Sequence, residues 1–304
     1  MKPGFIGLGR MGKPMVLNLL ARGHEVVAFT PHNVAALREV ESKGATAAKS
    51  IREVAQLLPK PKIVFLSIPA GDPVDKAIEE MLSELSEGDI IIDGCNSYFK
   101  DSIRRANYLK EKGIYFLDTG ISGGLEGAEK GACFMIGGDR EAFEKAKPIF
   151  EALAAPGAYA YLGESGAGHY VKMVHNGVLY AILEAYGEGF ALLDAAPYKL
   201  DLHKIAEIWK NGSVVRSWLL GLAERALSKD PRLDGIGRWI GGGATGRWAA
   251  TTAMELEVPT PAINAALTMR YSSRDKDTFI AKLISVLRYE FGGHEYKEAP
   301  VRAY

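Results

Sequence analysis

The sequence predicts an α/β chain: a doubly wound, mainly parallel sheet over residues 1–163, followed by an all-α domain over residues 164–304. Three observations carry this. Short apolar runs alternate with amphipathic stretches through the first half. Those runs are continuous rather than alternating in polarity, as in strands covered on both faces. After Gly163-Glu164-Ser165-Gly166 only long helical patterns remain. A chain of 304 residues also suits two domains better than one core.

Taken in order, Phe5-Ile6 is a first strand running into glycines, and Met15 to Ala21 a helix. Val26 to Phe29 is the second strand and Ala35 to Lys43 the second helix. Ile63 to Ile68 is a strand stopped by Pro69, followed by a helix from Val74 to Leu85. Ile90 to Ile92, closed on each side by aspartate, is a strand; Ser102 to Lys112 is a helix and Tyr115 to Asp118 a strand. Cys133 to Ile136 and Tyr159 to Leu162 read as added edge strands. Beyond the change of texture, Tyr170 to Leu193 predicts one helix of unusual length. Leu202 to Lys210, Trp218 to Ser228 and Phe279 to Phe291 follow as helices, with no strand among them.

Composition excludes several functions. With 37 basic and 37 acidic residues there is no net field to draw in nucleic acid or an anionic membrane. Cys95 and Cys133 are too few for a disulfide framework, which points to a reducing cytoplasm. The opening MKPGFIGLGRMGKP is interrupted by glycine and arginine too early for a signal-peptide core, and no apolar run is long enough to span a bilayer.

Gly7-Leu8-Gly9-Arg10-Met11-Gly12 fits G-x-G-x-x-G, and it follows a strand and opens a helix. The first glycine permits the tight turn, the second lets backbone approach a pyrophosphate, and the third lets helix and strand pack closely. The phosphates then meet the free N–H groups of the helix N-terminus, Arg10 and Met11 included. A flexible turn is the plain alternative, but the strand–turn–helix context identifies a dinucleotide site of the Rossmann type. Ile68-Pro69 and Asn96 stand at the carboxyl ends of later strands, on the edge where such sheets bind ligands. The second strand ends Thr30-Pro31-His32-Asn33, without the acid that holds a ribose 2′-hydroxyl. Such an acid repels a 2′-phosphate, so its absence favours NADP, with NAD left open. Thr30, His32 and Asn33 are the donors available there, with Arg38 further along, unless the segment is simply a capped turn.

Lys172, His175, Asn176 and Tyr180 follow i, i+3, i+4, i+8 spacing and share one helix face, flanked by Met173, Val174 and Val178. A polar stripe among apolar flanks points to chemistry rather than to a solvated face. A lysine in a cleft loses its proton near neutral pH and becomes a general base for a hydroxyl as hydride leaves the same carbon. Asn176 then holds the hydroxyl or the lysine. Asp118 to Ala128, with Ser122, Gly123 and Gly124, reads as a glycine-rich loop suited to a carboxylate. Asp93-Gly94-Cys95-Asn96-Ser97 lies at a strand end; each of these two is also an ordinary turn composition.

With these pieces together, the chain resembles the β-hydroxyacid dehydrogenases and, within them, the short-type 6-phosphogluconate dehydrogenases. The shared patterns are Gly7-x-Gly9-x-x-Gly12, Asp93-Gly94-x-Asn96-Ser97, Gly120 to Gly124 and Lys172 to Gly177, with Thr245 to Trp248 and Val258-Pro259 in the second half. The resemblance implies a metal-free reaction. Lys172 is the base on the 3-hydroxyl of a phosphorylated sugar acid, the β-keto acid loses carbon dioxide, and an acid protonates the enediol. It implies that Asn96 touches cofactor and substrate, and that Ser122, Gly123, Gly124, His175, Asn176 and Tyr180 hold the substrate. It assigns the phosphate to Arg270, and gives Arg288 and His294 to a C-terminal segment that enters the neighbouring site of a homodimer or larger assembly. The family carries a glutamate as that acid three residues after the asparagine; here the position is Leu179, which has no proton to give. His175 or a water stands in for it. Three readings follow: a decarboxylating dehydrogenase with a modified acid step, a β-hydroxyacid dehydrogenase or reductase without decarboxylation, and a catalytically silent dinucleotide sensor. The base at Lys172 argues against the last.

Overall fold

The computed structural model describes residues 1–274, 279–292 and 295. In chain order the elements are β1 (Gly4–Ile6), α1 (Gly12–Ala21), β2 (Val27–Phe29), α2 (Val34–Ser42), β3 (Thr46–Ala47), α3 (Ile51–Gln56), β4 (Ile63–Leu66) and α4 (Asp72–Leu82). Next come β5 (Ile90–Asp93), α5 (Phe99–Lys110), β6 (Tyr115–Ser122), α6 (Gly124–Lys130), β7 (Ala132–Gly138), α7 (Arg140–Leu153) and β8 (Ala154–Gly163). The chain then continues as α8 (Ala167–Asp194), α9 (Leu202–Gly212), α10 (Trp218–Lys229), α11 (Ala244–Glu255), α12 (Pro261–Ser272) and α13 (Phe279–Gly292).

The strands form one sheet in the order β3-β2-β1-β4-β5-β6-β7-β8. Strand order reverses between β1 and β4, which opens a crevice at their carboxyl ends. Pairing is parallel throughout except between β6 and β7, whose antiparallel register sets Ser122 against Cys133 and Gly120 against Met135. The continuous apolar character of the strands is explained by cover on both faces. Phe5, Phe65, Ile90 and Ile92 belong to one buried cluster, and Ile6, Val64, Leu66 and Ile91 to the other. Phe5 and Phe65 stack with centroids 4.9 Å apart.

Three readings of the sequence change. Cys133 to Ile136 lies in β7, an interior strand flanked by β6 and β8, because the antiparallel return from β6 leaves a second edge for β8 to join. The expected loop from Asp118 to Ala128 is instead the end of β6, a two-glycine turn and the start of α6. Helices α3, α6, α7, α11 and α12 and the short strand β3 add to those expected. By its contacts the chain forms two compact units, Met1–Asn176 and Gly177–Tyr304, the first of which takes in the opening turns of α8.

The first turns of α8 belong to the sheet unit because backbone meets backbone there. A Cβ at Gly168 would overlap the Asp118 carbonyl oxygen and stand 2.5 Å from that of Met135 and 2.7 Å from the Gly137 nitrogen. A Cβ at Gly120 would overlap the Cβ of Lys172. Asp118, buried in β6, accepts from the backbone N–H groups of Gly166 (2.7 Å) and His169 (2.8 Å) and so anchors the helix start.

The second unit is helical among its described residues, with a small core of Ala206, Leu220 and Leu227 backed by Tyr186, Phe190 and Trp209. Side-chain caps start α9 and α10: Asp201 accepts from Lys204 N, and Ser217 from Leu220 N, each at 3.0 Å. No helix among the described residues is long and apolar enough to cross a membrane.

Because its neighbours at Gly168 are backbone atoms that cannot rotate away, Gly168→Ala is expected to destabilise the protein by roughly 1–3 kcal/mol, the usual cost of overpacking. Denaturant unfolding measures it.

Candidate active site

The glycine turn is built as its spacing demands. Gly7 donates to the Phe29 carbonyl at 2.8 Å and has φ of +100°, and a Cβ there would overlap the Ser67 carbonyl oxygen. A Cβ on Gly12 would overlap the carbonyl oxygen of Gly7, so α1 can start against the turn only without one. A Cβ on Gly9 would meet nothing within 4 Å. That backbone faces the open cavity of about 470 Å³ lined by Gly9, Arg10, Met11, Gly12, Ile68, Pro69, Cys95, Asn96 and Ile121. Bare backbone, a helix N-terminus and an exposed Arg10 fit a dinucleotide's phosphates.

Seven of the ten expected cofactor residues meet in this cavity, with Gly7 beneath it as the turn. Thr30 and His32 are not in its wall: Thr30 is buried and His32 exposed. Asn33 ties the segment back to the turn, accepting from Ala36 N (3.1 Å) to cap α2 and donating to the Leu8 carbonyl (3.0 Å).

The loops that follow β4 and β5 are held by one buried guanidinium. Arg105, on α5, pairs with Asp75 through Nε (2.9 Å) and Nη2 (3.0 Å) and with Asp93 through Nη1 (3.3 Å). It also donates to the carbonyl of Gly71, the N-cap of α4, at 3.0 Å. Asp93 in turn accepts from Cys95 N (3.0 Å) and Ser97 Oγ (2.9 Å), which shapes the turn that carries Asn96 at φ +54°. Asn96 spends its carboxamide on Ile121, accepting from its N–H at 2.8 Å. Arg105 and Asp75 escape a motif-based reading. The one signal was the aspartate closing an apolar strand, since a charge at a buried strand end needs a partner.

The lysine site lies on the adjoining face. Lys172 is 6 % exposed, and burial lowers its pKa to about 8. His175 links the polar side chains around it. Its Nε2 lies 3.1 Å from Ser122 Oγ, and its Nδ1 lies 3.1 Å from Asn176 Oδ1 and 3.5 Å from Lys172 Nζ. Burial, and then the Lys172 charge, lower the His175 pKa, so the ring is neutral near pH 7. A neutral ring has two tautomers, and Lys172 selects between them. An ammonium at Nδ1 must donate, which puts the ring proton on Nε2 toward Ser122; a neutral amine allows Nδ1–H to donate to Asn176. Gly123 and Gly124, both at positive φ, turn the chain from Ser122 into α6.

In the helical unit, the Arg270 guanidinium lies 3.8 Å from the Tyr180 ring centroid and donates to the Gly241 carbonyl at 2.6 Å. The hydroxyls of Tyr180 and Thr245 are 3.2 Å apart. Arg288 is an exposed residue of α13, and His294 lies outside the described residues. No group of three or more His, Cys, Asp or Glu gathers as metal ligands among the described residues.

Known proteins are similar to this chain in sequence and in fold. Residues 2–163 match the NAD binding domain of 6-phosphogluconate dehydrogenase, and residues 168–288 match the 6-phosphogluconate dehydrogenase C-terminal domain. An NAD(+)-dependent, decarboxylating 6-phosphogluconate dehydrogenase of Haloferax volcanii is 44% identical over 97% of this chain and 98% of its own. An NADP(+)-dependent, decarboxylating one of Bacillus subtilis is 37% identical over 90% of this chain and 61% of its own. The structure of Plasmodium falciparum 6-phosphogluconate dehydrogenase superposes with a TM-score of 0.83 at 30% identity, over 99% of this chain and 67% of that one.

Removing Arg105 leaves Asp93, fully buried, without its cation. Arg105→Ala is expected to cost about 3–5 kcal/mol of stability, as for other broken buried ion pairs. Chemical denaturation reads the loss.

Proposed function

The chain belongs to the 6-phosphogluconate dehydrogenase family, and from that premise we propose that it oxidises and decarboxylates 6-phosphogluconate to ribulose 5-phosphate and carbon dioxide. The observation that carries the reading is the buried Lys172, with its pKa near 8, hydrogen-bonded into the His175–Ser122–Asn176 group. Bound at the glycine turn, the dinucleotide supplies the hydride acceptor. Neutral Lys172 takes the proton of the 3-hydroxyl as that carbon is oxidised. The ammonium so formed stabilises the charge left on oxygen when carbon dioxide departs. Asn176, Ser122, Gly123 and Gly124 hold the hydroxyls and carboxylate, Asn96 the substrate and the cofactor, and Tyr180, Arg270, Arg288 and His294 the phosphate end.

Leu179 removes the family's acid, and His175 takes over the step in this reading. Lys172 returns its proton to His175 Nδ1 while Nε2–H passes one through Ser122 to carbon. The lysine is left neutral for the next turnover; the ring, neutral before and after, ends as the Nδ1–H tautomer and returns to the Nε2–H form by proton exchange with water.

NADP is the proposed cofactor, supported by the acid-free end of β2 and by the exposed Arg10 and His32. NAD is the second reading, favoured by the Haloferax volcanii relative. We place the enzyme in the cytoplasm as a homodimer, in keeping with two free cysteines and the exposed apolar residues of α8, among them Val178, Ile182 and Leu192.

Steady-state rates with 6-phosphogluconate and each dinucleotide, with carbon dioxide measured alongside, test the proposal. One carbon dioxide per dinucleotide reduced is expected; oxidation without gas would sink it. Lys172→Ala is expected to abolish turnover and leave dinucleotide affinity intact, and an unaffected rate would refute the base. Because only neutral Lys172 accepts a proton, kcat/KM should fall about tenfold per pH unit below a pKa of about 8 and level off above it.

A further inference from the structure

Just before α11, the segment from Trp239 to Gly243 contains three consecutive glycines, Gly241 to Gly243, and so has more backbone freedom than any other tripeptide type. Arg270, in the last turn of α12, and Arg274, just past its end, hold it. Arg274 donates through Nε to the Ile240 carbonyl at 2.9 Å and through Nη2 to the Gly242 carbonyl. Arg270 donates to the carbonyl between them, that of Gly241, at 2.6 Å. Ser273 completes the seam, accepting from Ile240 N at 3.1 Å and donating to the Arg270 carbonyl at 2.7 Å. The Arg274 guanidinium also lies 5.8 Å from the Trp239 ring centroid and 5.7 Å from that of Tyr271.

The two arginines differ in what remains to them. The Arg270 guanidinium carbon lies over the Tyr180 ring, 3.8 Å from its centroid, with one of its donors given to Gly241. A guanidinium has five donors, so a bidentate pair is left for an anion. Arg274 bridges two carbonyls that are two residues apart, and thereby sets where the Gly241 carbonyl between them stands.

We propose that Arg274 is a positioning residue for the substrate's phosphate: by clamping Ile240 and Gly242 it fixes the Gly241 carbonyl and, through it, the plane of the Arg270 guanidinium. The inference rests on the phosphosugar reading above. It has a chemical consequence. Lysine carries the same charge but is a single-point donor, and does not span two carbonyls as a fork does.

The test compares wild type, Arg274→Ala and Arg274→Lys in the full-length enzyme at saturating dinucleotide. 6-Phosphogluconate is the substrate, and gluconate, which lacks the phosphate, serves as alternative substrate or competitive inhibitor. Arg274→Ala is expected to raise the KM for 6-phosphogluconate roughly tenfold, the scale of one weakened charge-assisted hydrogen bond, with kcat within about twofold. Gluconate binding and the KM for the dinucleotide should stay unchanged, and Arg274→Lys should restore less than half of the lost affinity. An unchanged KM for 6-phosphogluconate overturns the proposal. So does an equal loss for gluconate, which marks a general structural defect, and so does full rescue by lysine, which marks a role of charge alone. A wild type that fails to prefer 6-phosphogluconate over gluconate refutes the phosphosugar reading itself, before any variant is compared.

Discussion

The close approach of α8 to β6 and β7 sets the chemistry of this protein. Gly120 and Gly168 have no side chains, so the helix backbone reaches the sheet, and Asp118 takes up the N–H groups of Gly166 and His169 at its start. Lys172, one turn further on, therefore lies over Gly120 and is covered instead of reaching into water. Burial penalises its ammonium form, which is why it titrates near 8 and not near the value of about 10.4 typical of a solvated lysine. A larger residue at either glycine pushes the helix outward and returns the lysine toward solvent. The base strength of one amine is thus fixed by the absence of two methyl groups.

That burial has a second effect, carried by His175. The ring is held between Ser122 on the strand and Asn176 and Lys172 on its own helix, and its pKa is lowered by burial and by the lysine charge. A neutral imidazole with a partner on each nitrogen is a poor store of charge but a good conduit, since one nitrogen gains a proton as the other gives one up. The tautomer follows the lysine's protonation state, so the polar side chains respond as a unit. A separately solvated lysine and histidine would titrate independently and lose that coupling.

Much of this was legible in the residues, and what was not had physical causes. The glycine turn, the long α8 and the lysine stripe announce themselves through spacing, because a close backbone approach and a 3.6-residue face each demand particular residues at fixed intervals. Two of the helices that escaped notice lack such a signal: α6 carries Gly124 and Gly127, and α12 is an alanine-containing segment with little amphipathic contrast, so tertiary packing and not local preference forms them. α7 does bury a helical face, through Phe143, Ala146, Ile149, Phe150 and Leu153, and it is Pro148 inside it that breaks the pattern as read from sequence. The antiparallel turn between β6 and β7 was hidden for a similar reason, since α6 intervenes and strand direction is not written in apolar content. Of the site, the Arg105 pair with Asp75 and Asp93 was invisible because its members are far apart in sequence and only the sheet brings them together.

Leu179 is where these strands of reasoning meet. If the proposed decarboxylation holds, Leu179 at the position that the resemblance gives to an acid leaves two ways to protonate carbon: a stored charge on another side chain, or a proton passed along. The lowered pKa of His175 weighs against storage, because an imidazolium beside an ammonium is the species that burial and the lysine charge both disfavour. Passing a proton needs no such species. In the proposed reaction Lys172 has just collected one from the hydroxyl; in the structure His175 Nδ1 is its neighbour and Nε2 faces Ser122. The same desolvation that makes the lysine a base makes its conjugate acid eager to lose the proton again. Replacing a carboxylic acid by a relay therefore requires no new group, only that the lysine, histidine and serine already placed by Gly120 and Gly168 keep their spacing.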